Sequence, residues 1–350
     1  MIPQRSTRRR SPWNPDVMRA WVVDRPGPVA SDPLSWVERR RPQPGPRQVR
    51  VRVRCCGVCR TDLHLAEGDL APRRPGVVPG HEVVGEVDAL GEAVTGLSIG
   101  QRVGVAWLGG TDGTCRHCRS GRENLCIAPT FTGWDVDGGY AEECLVDERF
   151  AYPLPDGLSD EQAAPLLCAG IIGYRALQAA AVPPGGRLGI YGFGGSAHLT
   201  AQLALAQGLR VHVLTRGESN RRLAVELGCH SVGDAADAPA EPLDGAILFA
   251  PAGELVPVAL RALDRGGTLA TAGIWLSDIP PMEYERDLFY ERVLRSVTAN
   301  TRADGTEFLK LALRHGVRAT TVPYAMADAD RALADLAAGA FSGAAVLHAS

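Results

Sequence analysis

The sequence predicts an α/β protein in two parts: a β-rich, barrel-like N-terminal domain, then a doubly wound parallel sheet with helices on both faces. Three observations carry that expectation. Between residues 34 and 105, short apolar or alternating runs (VRVRVRC, VVPGHEVVGEV, GQRVGVAWL) are broken by glycine and proline, the pattern of strands joined by turns. From Gly185 onward, strand-like and helix-like segments alternate. At 350 residues the chain also exceeds the usual size of one hydrophobic core, so two domains are expected.

Each element follows from its own residues. The segment RSTRRR (5–10) lies in an Arg/Pro/Ser-rich stretch with little apolar content, so residues 1–17 are expected to be a disordered leader ahead of the strand-like MRAWVVD (18–24). A Cys/Gly-rich insertion occupies about 109–130, and AEECLV (141–146) reads as a further strand. At SDEQAAPLLCAG the period changes: Ser159 and Gln162 stand in capping-box spacing, and IIGYRALQAAAV continues as helix. Then RLGIYGF, RVHVLTR, DGAILFA and TLATAGI read as strands, separated by the helical HLTAQLALAQG, NRRLAVELG and LVPVALRALDRGG. The tail from about 305 is mixed and ends in the strand-like GAAVLH (343–348).

Composition excludes several classes. A net charge of −3 gives no whole-molecule attraction to nucleic acid or to an anionic membrane. No apolar stretch of signal-peptide type follows the early arginines, and the longest apolar run, near 163–174, is expected to fall short of a membrane span. Nine cysteines in such a chain point to metal ligation and buried thiols rather than disulfides, and to the cytoplasm.

The segment GIYGFGGSAH (189–198) carries Gly192, Gly194 and Ala197 in G-x-G-x-x-A spacing, with Gly195 between them, after one strand and before one helix. Gly192 permits the tight turn, Gly194 lets a pyrophosphate approach the backbone, and Ala197 allows close packing of helix on strand. The helix N-terminus offers free N–H groups to phosphate. At the end of the next strand, where an acidic residue would bind the ribose hydroxyls of NAD, stand Thr215 and Arg216. A hydroxyl beside a guanidinium suits a 2′-phosphate, so NADP(H) is expected over NAD(H).

Three distant segments, CGVCRTDLH (56–64), GHEVVGEV (80–87) and PLLCAG (165–170), each contribute one candidate zinc donor. Cys59, His81 and Cys168 form a Cys₂His set, the type that leaves a fourth position open for catalysis. Singly, each also reads as an ordinary buried thiol or turn histidine.

In this order, followed by a cysteine lobe and the dinucleotide turn, the motifs resemble the zinc-dependent alcohol dehydrogenases of the medium-chain dehydrogenase/reductase family, from about Met18 to Leu347. The resemblance implies a GroES-like catalytic domain (18–165 with 305–350) and a Rossmann domain (166–304). It implies that Cys59, His81 and Cys168 bind the catalytic zinc, with Glu82 behind the metal and Asp62 holding the tautomer of His81. Thr61 and His64 match the family's proton relay, and Arg60 lies near the coenzyme pyrophosphate. The implied reaction passes hydride between NADP(H) and an alcohol or aldehyde through a zinc-bound alkoxide. A medium-chain reductase of C=C or C=N bonds is the alternative, and a non-enzymatic cofactor-binding protein a more distant one. Homodimers or homotetramers are usual among such relatives.

Relatives with a structural zinc carry four cysteines in C-x₂-C-x₂-C-x₇-C spacing. Here Asp112 stands first, followed by Cys115, Cys118 and Cys126. Carboxylate is an acceptable zinc ligand, so an Asp/Cys₃ structural site is expected, with His117 a bystander; a metal-free lobe is the other reading. Ser342 stands near where many relatives have arginine, and Cys55, Cys56, Cys144 and Cys229 match no ligand position. His198 faces either a phosphate or solvent. SVTANTR (296–302) falls where relatives bring backbone to the nicotinamide. Trp107, Trp134 and Tyr140 are candidates for lining an apolar substrate pocket.

Overall fold

The computed structural model describes residues 16–349, so the expected leader lies outside the described residues except at its end, where Val17 already opens a strand. That strand, Val17–Val23, pairs antiparallel with Leu34–Arg40. The N-terminal sheet is built on one long strand, Gln48–Val58. Val49, Val51 and Val53 face the core while Arg52 and Arg54 face solvent, as a half-buried strand requires. One edge of this strand pairs with Val83–Leu90, and the other is shared: Glu143–Asp147 takes Gln48–Arg52, and the tail strand Ala344–His348 takes Cys55–Val58. The N-terminal half and the tail therefore share one sheet, which extends through Thr321–Ala325 on one side and Arg102–Val105 and Ala151–Pro153 on the other.

The second sheet has six parallel strands in the spatial order Ser231–Gly233, Arg210–Leu214, Arg187–Tyr191, Leu243–Leu248, Leu263–Thr271, Val293–Ser296. In chain order this is third, second, first, fourth, fifth, sixth, the doubly wound arrangement whose order reverses beside the first strand. A continuous apolar core joins the helices of this half to the catalytic half, from Val84 and Ala106 through Leu167 to Leu188 and Ile190.

Several local expectations are corrected. The helix read as running through LVPVALRALDRGG stops at Ala262, because Leu263 already pairs with Leu243 and the parallel ladder claims the residues that follow. Ser159 does cap its helix, accepting from Gln162 N (3.2 Å), but the Gln162 side chain does not return the bond. It grips the buried Ala319 instead, donating to its carbonyl (3.0 Å) and accepting from its N–H (2.9 Å). Buried backbone groups without another partner outbid an exposed one. Finally, the run Asp160–Ala180 does reach the length and apolarity of a membrane span; here it is a core helix, with 67% of its apolar window buried. Within it Leu166–Gly170 widens into a π-turn, the irregularity that often marks functional sites.

Candidate active site

The end of Gln48–Val58 passes directly into the helix Arg60–Glu67, whose first turn is held by a reciprocal cap: Cys59 N donates to Asp62 Oδ2 (2.9 Å). The other Asp62 oxygen accepts Gly80 N (3.0 Å) and stands 3.3 Å from His81 Nδ1, without the alignment of a hydrogen bond. Tyr140 completes the set by donating its hydroxyl to Asp62 Oδ2 (3.3 Å). Two glycines make this packing feasible. Gly80 sits at φ +98 with Tyr140 only 2.5 Å from where a Cβ would be, and a Cβ on Gly57 would fall 1.8 Å from Glu82 Oε2.

Cys168 arrives from the π-turn. Its Sγ lies 3.3 Å from His81 Nε2 and 3.9 Å from Cys59 Sγ, and a Glu82 carboxylate oxygen joins them within 4.8 Å. Tetrahedral zinc with ordinary bond lengths sets two sulfurs about 3.8 Å apart and sulfur and nitrogen about 3.6 Å apart, so the donor set fits such an ion. The hydrogen bond with Cys168 draws the Cys59 thiol well below its usual pKa, while the same contact pushes Cys168 up. Burial drives Glu82 well above the carboxylate range and leaves its Oε2 without a partner. Burial disfavours charge on His81, but the Asp62 carboxylate outweighs it and raises the ring's pKa.

Around this centre, the Thr61 hydroxyl is buried 3.6 Å from Cys59 Sγ. His64 is partly exposed and its Nδ1 is paired with Asp69 Oδ2 (3.0 Å), a partner the sequence reading missed. Arg60 is exposed. Trp107 stands edge-on to His81 at 4.9 Å and stacks on Phe131 and Trp134 (5.0 and 5.9 Å), so half-exposed aromatic rings extend outward from the donors. Tyr140 is fully buried beneath Asp62, which corrects its expected place in a substrate pocket.

The second donor set is local. Asp112, Cys115, Cys118 and Cys126 bring their ligand atoms within 4.8 Å of one another, while His117 stays outside, as expected from its spacing. Asp112 Oδ1 accepts from Thr114 N and Cys115 N (2.8 and 2.9 Å), and these N–H groups hold its carboxyl down to about 2. Cys126 Sγ accepts from the N–H of Asp112 and of Ala128 (3.4 Å each). Three sulfurs and a carboxylate in a closed loop suit a structural zinc.

The dinucleotide turn lies at the topological switch point, between Arg187–Tyr191 and Leu243–Leu248. Gly192 is at φ +84, and a Cβ there would meet Ala250 N at 2.8 Å, whereas a Cβ on Gly194 or Gly195 would meet nothing within 4 Å. That open space lies over the N-terminus of Gly195–Ala206, which Ala197 packs into the core. Thr215 is buried and Arg216 exposed at the neighbouring strand end. His198 is 2% exposed, with Nδ1 3.2 Å from Gly194 O, and burial holds its pKa below the usual imidazole value. It is therefore not a surface residue. All nine cysteines are free thiols, and Cys55, Cys56, Cys144 and Cys229 join neither donor set.

A split β-rich half with a Cys₂His donor set, joined to a 3-2-1-4-5-6 sheet with a glycine turn at its switch point, has the architecture of a Rossmann-type oxidoreductase. Residues 45–156 match the alcohol dehydrogenase GroES-like domain. The chain is 57% identical over 342 residues to the probable alcohol dehydrogenase AdhA of Mycobacterium tuberculosis (strain CDC 1551 / Oshkosh), covering 96% of this chain and 99% of that one. Among solved structures, the cinnamyl alcohol dehydrogenase SbCAD4 of Sorghum bicolor superposes with a TM-score of 0.86 at 29% identity, over 95% of this chain and 97% of the other. A cobalt- and zinc-bound thermostable alcohol dehydrogenase from Pyrobaculum aerophilum gives 0.85 at 26% identity, over 95% and 99%. This chain belongs to the medium-chain dehydrogenase/reductase family of alcohol dehydrogenases.

Proposed function

We propose that this chain is a zinc-dependent alcohol dehydrogenase and aldehyde reductase that uses NADP(H). The observation that carries the reading is the convergence of Cys59, His81 and Cys168 at separations that fit one tetrahedral ion. A zinc ion held there supplies a Lewis acid that makes an alcohol hydroxyl acidic near neutral pH and polarises a carbonyl. The protein's own groups do the rest. Asp62 orients His81, and Glu82 stands behind the donors as a reserve carboxylate. Thr61 Oγ1 would accept the alcohol proton while passing its own onward through the cofactor ribose toward His64, which is anchored by Asp69.

The turn Gly192–Ala197 and the N–H groups opening Gly195–Ala206 would hold the pyrophosphate, with Arg60 beside it. Thr215 and exposed Arg216 favour a 2′-phosphate, which is the basis for NADP(H) over NAD(H). The stack of Trp107, Phe131 and Trp134 favours substrates with aromatic or medium-length aliphatic groups. Asp112, Cys115, Cys118 and Cys126 hold a second, structural zinc in this reading. Nine free thiols suit the cytoplasm, and the exposed edge strand Val293–Ser296 is consistent with a homodimer or homotetramer.

Elemental mass spectrometry of chelator-free protein, with an aldehyde panel run against NADPH and NADH, tests this. Two zinc per chain and faster NADPH oxidation are expected. Near-zero zinc in active protein, or a clear preference for NADH, would overturn the corresponding part.

A further inference from the structure

The backbone just beyond the sixth parallel strand is strained. Ala299 adopts φ +48, in the left-handed region that side chains avoid. It lies at the carboxyl end of Val293–Ser296, the end where the ligand crevice of a doubly wound sheet opens. A cavity of about 350 Å³ lies beside this segment, lined by Asn124, Arg175, Arg295, Ser296 and Thr298 among others, so packing leaves that side open. Hydrogen bonds hold it instead. On one side Asn124 Nδ2 donates to Thr298 O (3.0 Å). On the other, Glu123 Oε1 accepts from Arg302 N (3.0 Å) and Arg302 Nε (3.1 Å), while Asn300 Nδ2 donates to the buried Tyr152 hydroxyl (3.1 Å).

Glu123 and Asn124 are each only 6% exposed, and they belong to the turn Glu123–Leu125 that ends in Cys126, the last donor of the cysteine lobe. We propose that Glu123 and Asn124 are positioning residues through which the cysteine lobe clamps the strained turn at Ala299, so that the backbone of 297–300 faces the nicotinamide end of the cofactor. The integrity of the lobe then sets cofactor affinity as well as stability. This rests on the dinucleotide reading proposed above.

The test is titration of the protein with NADPH, followed by its fluorescence, beside steady-state KM and kcat. Asn124→Ala is expected to weaken NADPH binding by about five- to tenfold, the worth of one buried hydrogen bond, and to raise KM for NADPH far more than it lowers kcat. Adding Ala299→Gly should restore most of the loss, since glycine adopts the left-handed conformation without strain. A merely structural role would lower Tm and the active fraction without a selective rise in KM for NADPH. Should Asn124→Ala fail to fold, Glu123→Gln, which keeps shape and removes the charge facing Arg302, is expected to weaken binding by about threefold. Wild-type affinity in the folded variant, or no recovery with Ala299→Gly, overturns the clamp. Wild-type protein that binds neither NADPH nor NADH overturns the cofactor reading itself, a distinct result.

Discussion

The two donor clusters have similar chemistry and opposite construction. Cys59, His81 and Cys168 come from a strand end, a glycine-dependent loop and a π-turn, up to 109 residues apart, and they meet only when both halves of the chain have packed. Asp112, Cys115, Cys118 and Cys126 span 15 positions of one loop and carry their own backbone cradle of N–H groups. A loop of that size buries almost no core, so an ion held there would act as a staple. The distant set is instead held by the fold: Asp62, Tyr140, Gly57 and Gly80 form its surroundings whether or not an ion is bound. If the proposed roles hold, the catalytic donor set is preorganised by the protein, whereas the structural one would help to organise it.

That contrast can be broken most directly at the distant cluster. Cys59→Ala or His81→Ala should reduce alcohol oxidation by at least about 10³-fold, the scale expected when Lewis-acid charge stabilisation is lost, with one zinc per chain remaining and NADPH titration little changed. Wild-type-like turnover in either variant would remove the assignment. One step outward, Asp62→Ala should weaken catalytic zinc by roughly 10- to 100-fold, because His81 loses its orienting carboxylate; competition with a chelating dye measures it.

At the local cluster the effect should fall on stability. Cys126→Ser is expected to lower Tm by on the order of 10 °C, and Asp112→Ala by less, since the thiolates supply most of the binding. Calorimetry with and without added zinc checks both, and an unchanged Tm in Cys126→Ser would mean that no ion closes the lobe. The smallest effect is expected at the cofactor site. Arg216→Ala should reduce the preference for NADPH over NADH by about tenfold in kcat/KM, and no change would mean that Arg216 is merely solvated.

Local pattern made much of this legible. Alternation placed Gln48–Val58, the G-x-G-x-x-A spacing placed the turn at Gly192, and cysteine spacing placed the lobe. Where the reading failed, a distant partner had intervened. Gln162 abandoned its capping role for Ala319, 157 positions away; Leu263 was drawn out of a helix by Leu243; Tyr140 went beneath Asp62 rather than into a pocket. His198 was hidden by burial, which no residue pattern reports.

By itself, then, the order of residues determined which donors exist, their spacing, the alternation that builds a doubly wound sheet, and the glycines that leave open space at the turn after its first strand. These are short-range properties, set by side-chain chemistry and by period along the chain. Only the tertiary structure decided that three remote donors share one centre, that Asp62 divides its two oxygens between the helix cap and the Gly80–His81 loop, and that Asn124 reaches Thr298 across 174 positions. Such contacts depend on which surfaces are buried together, and burial is settled by the packing of the whole chain rather than by any one segment.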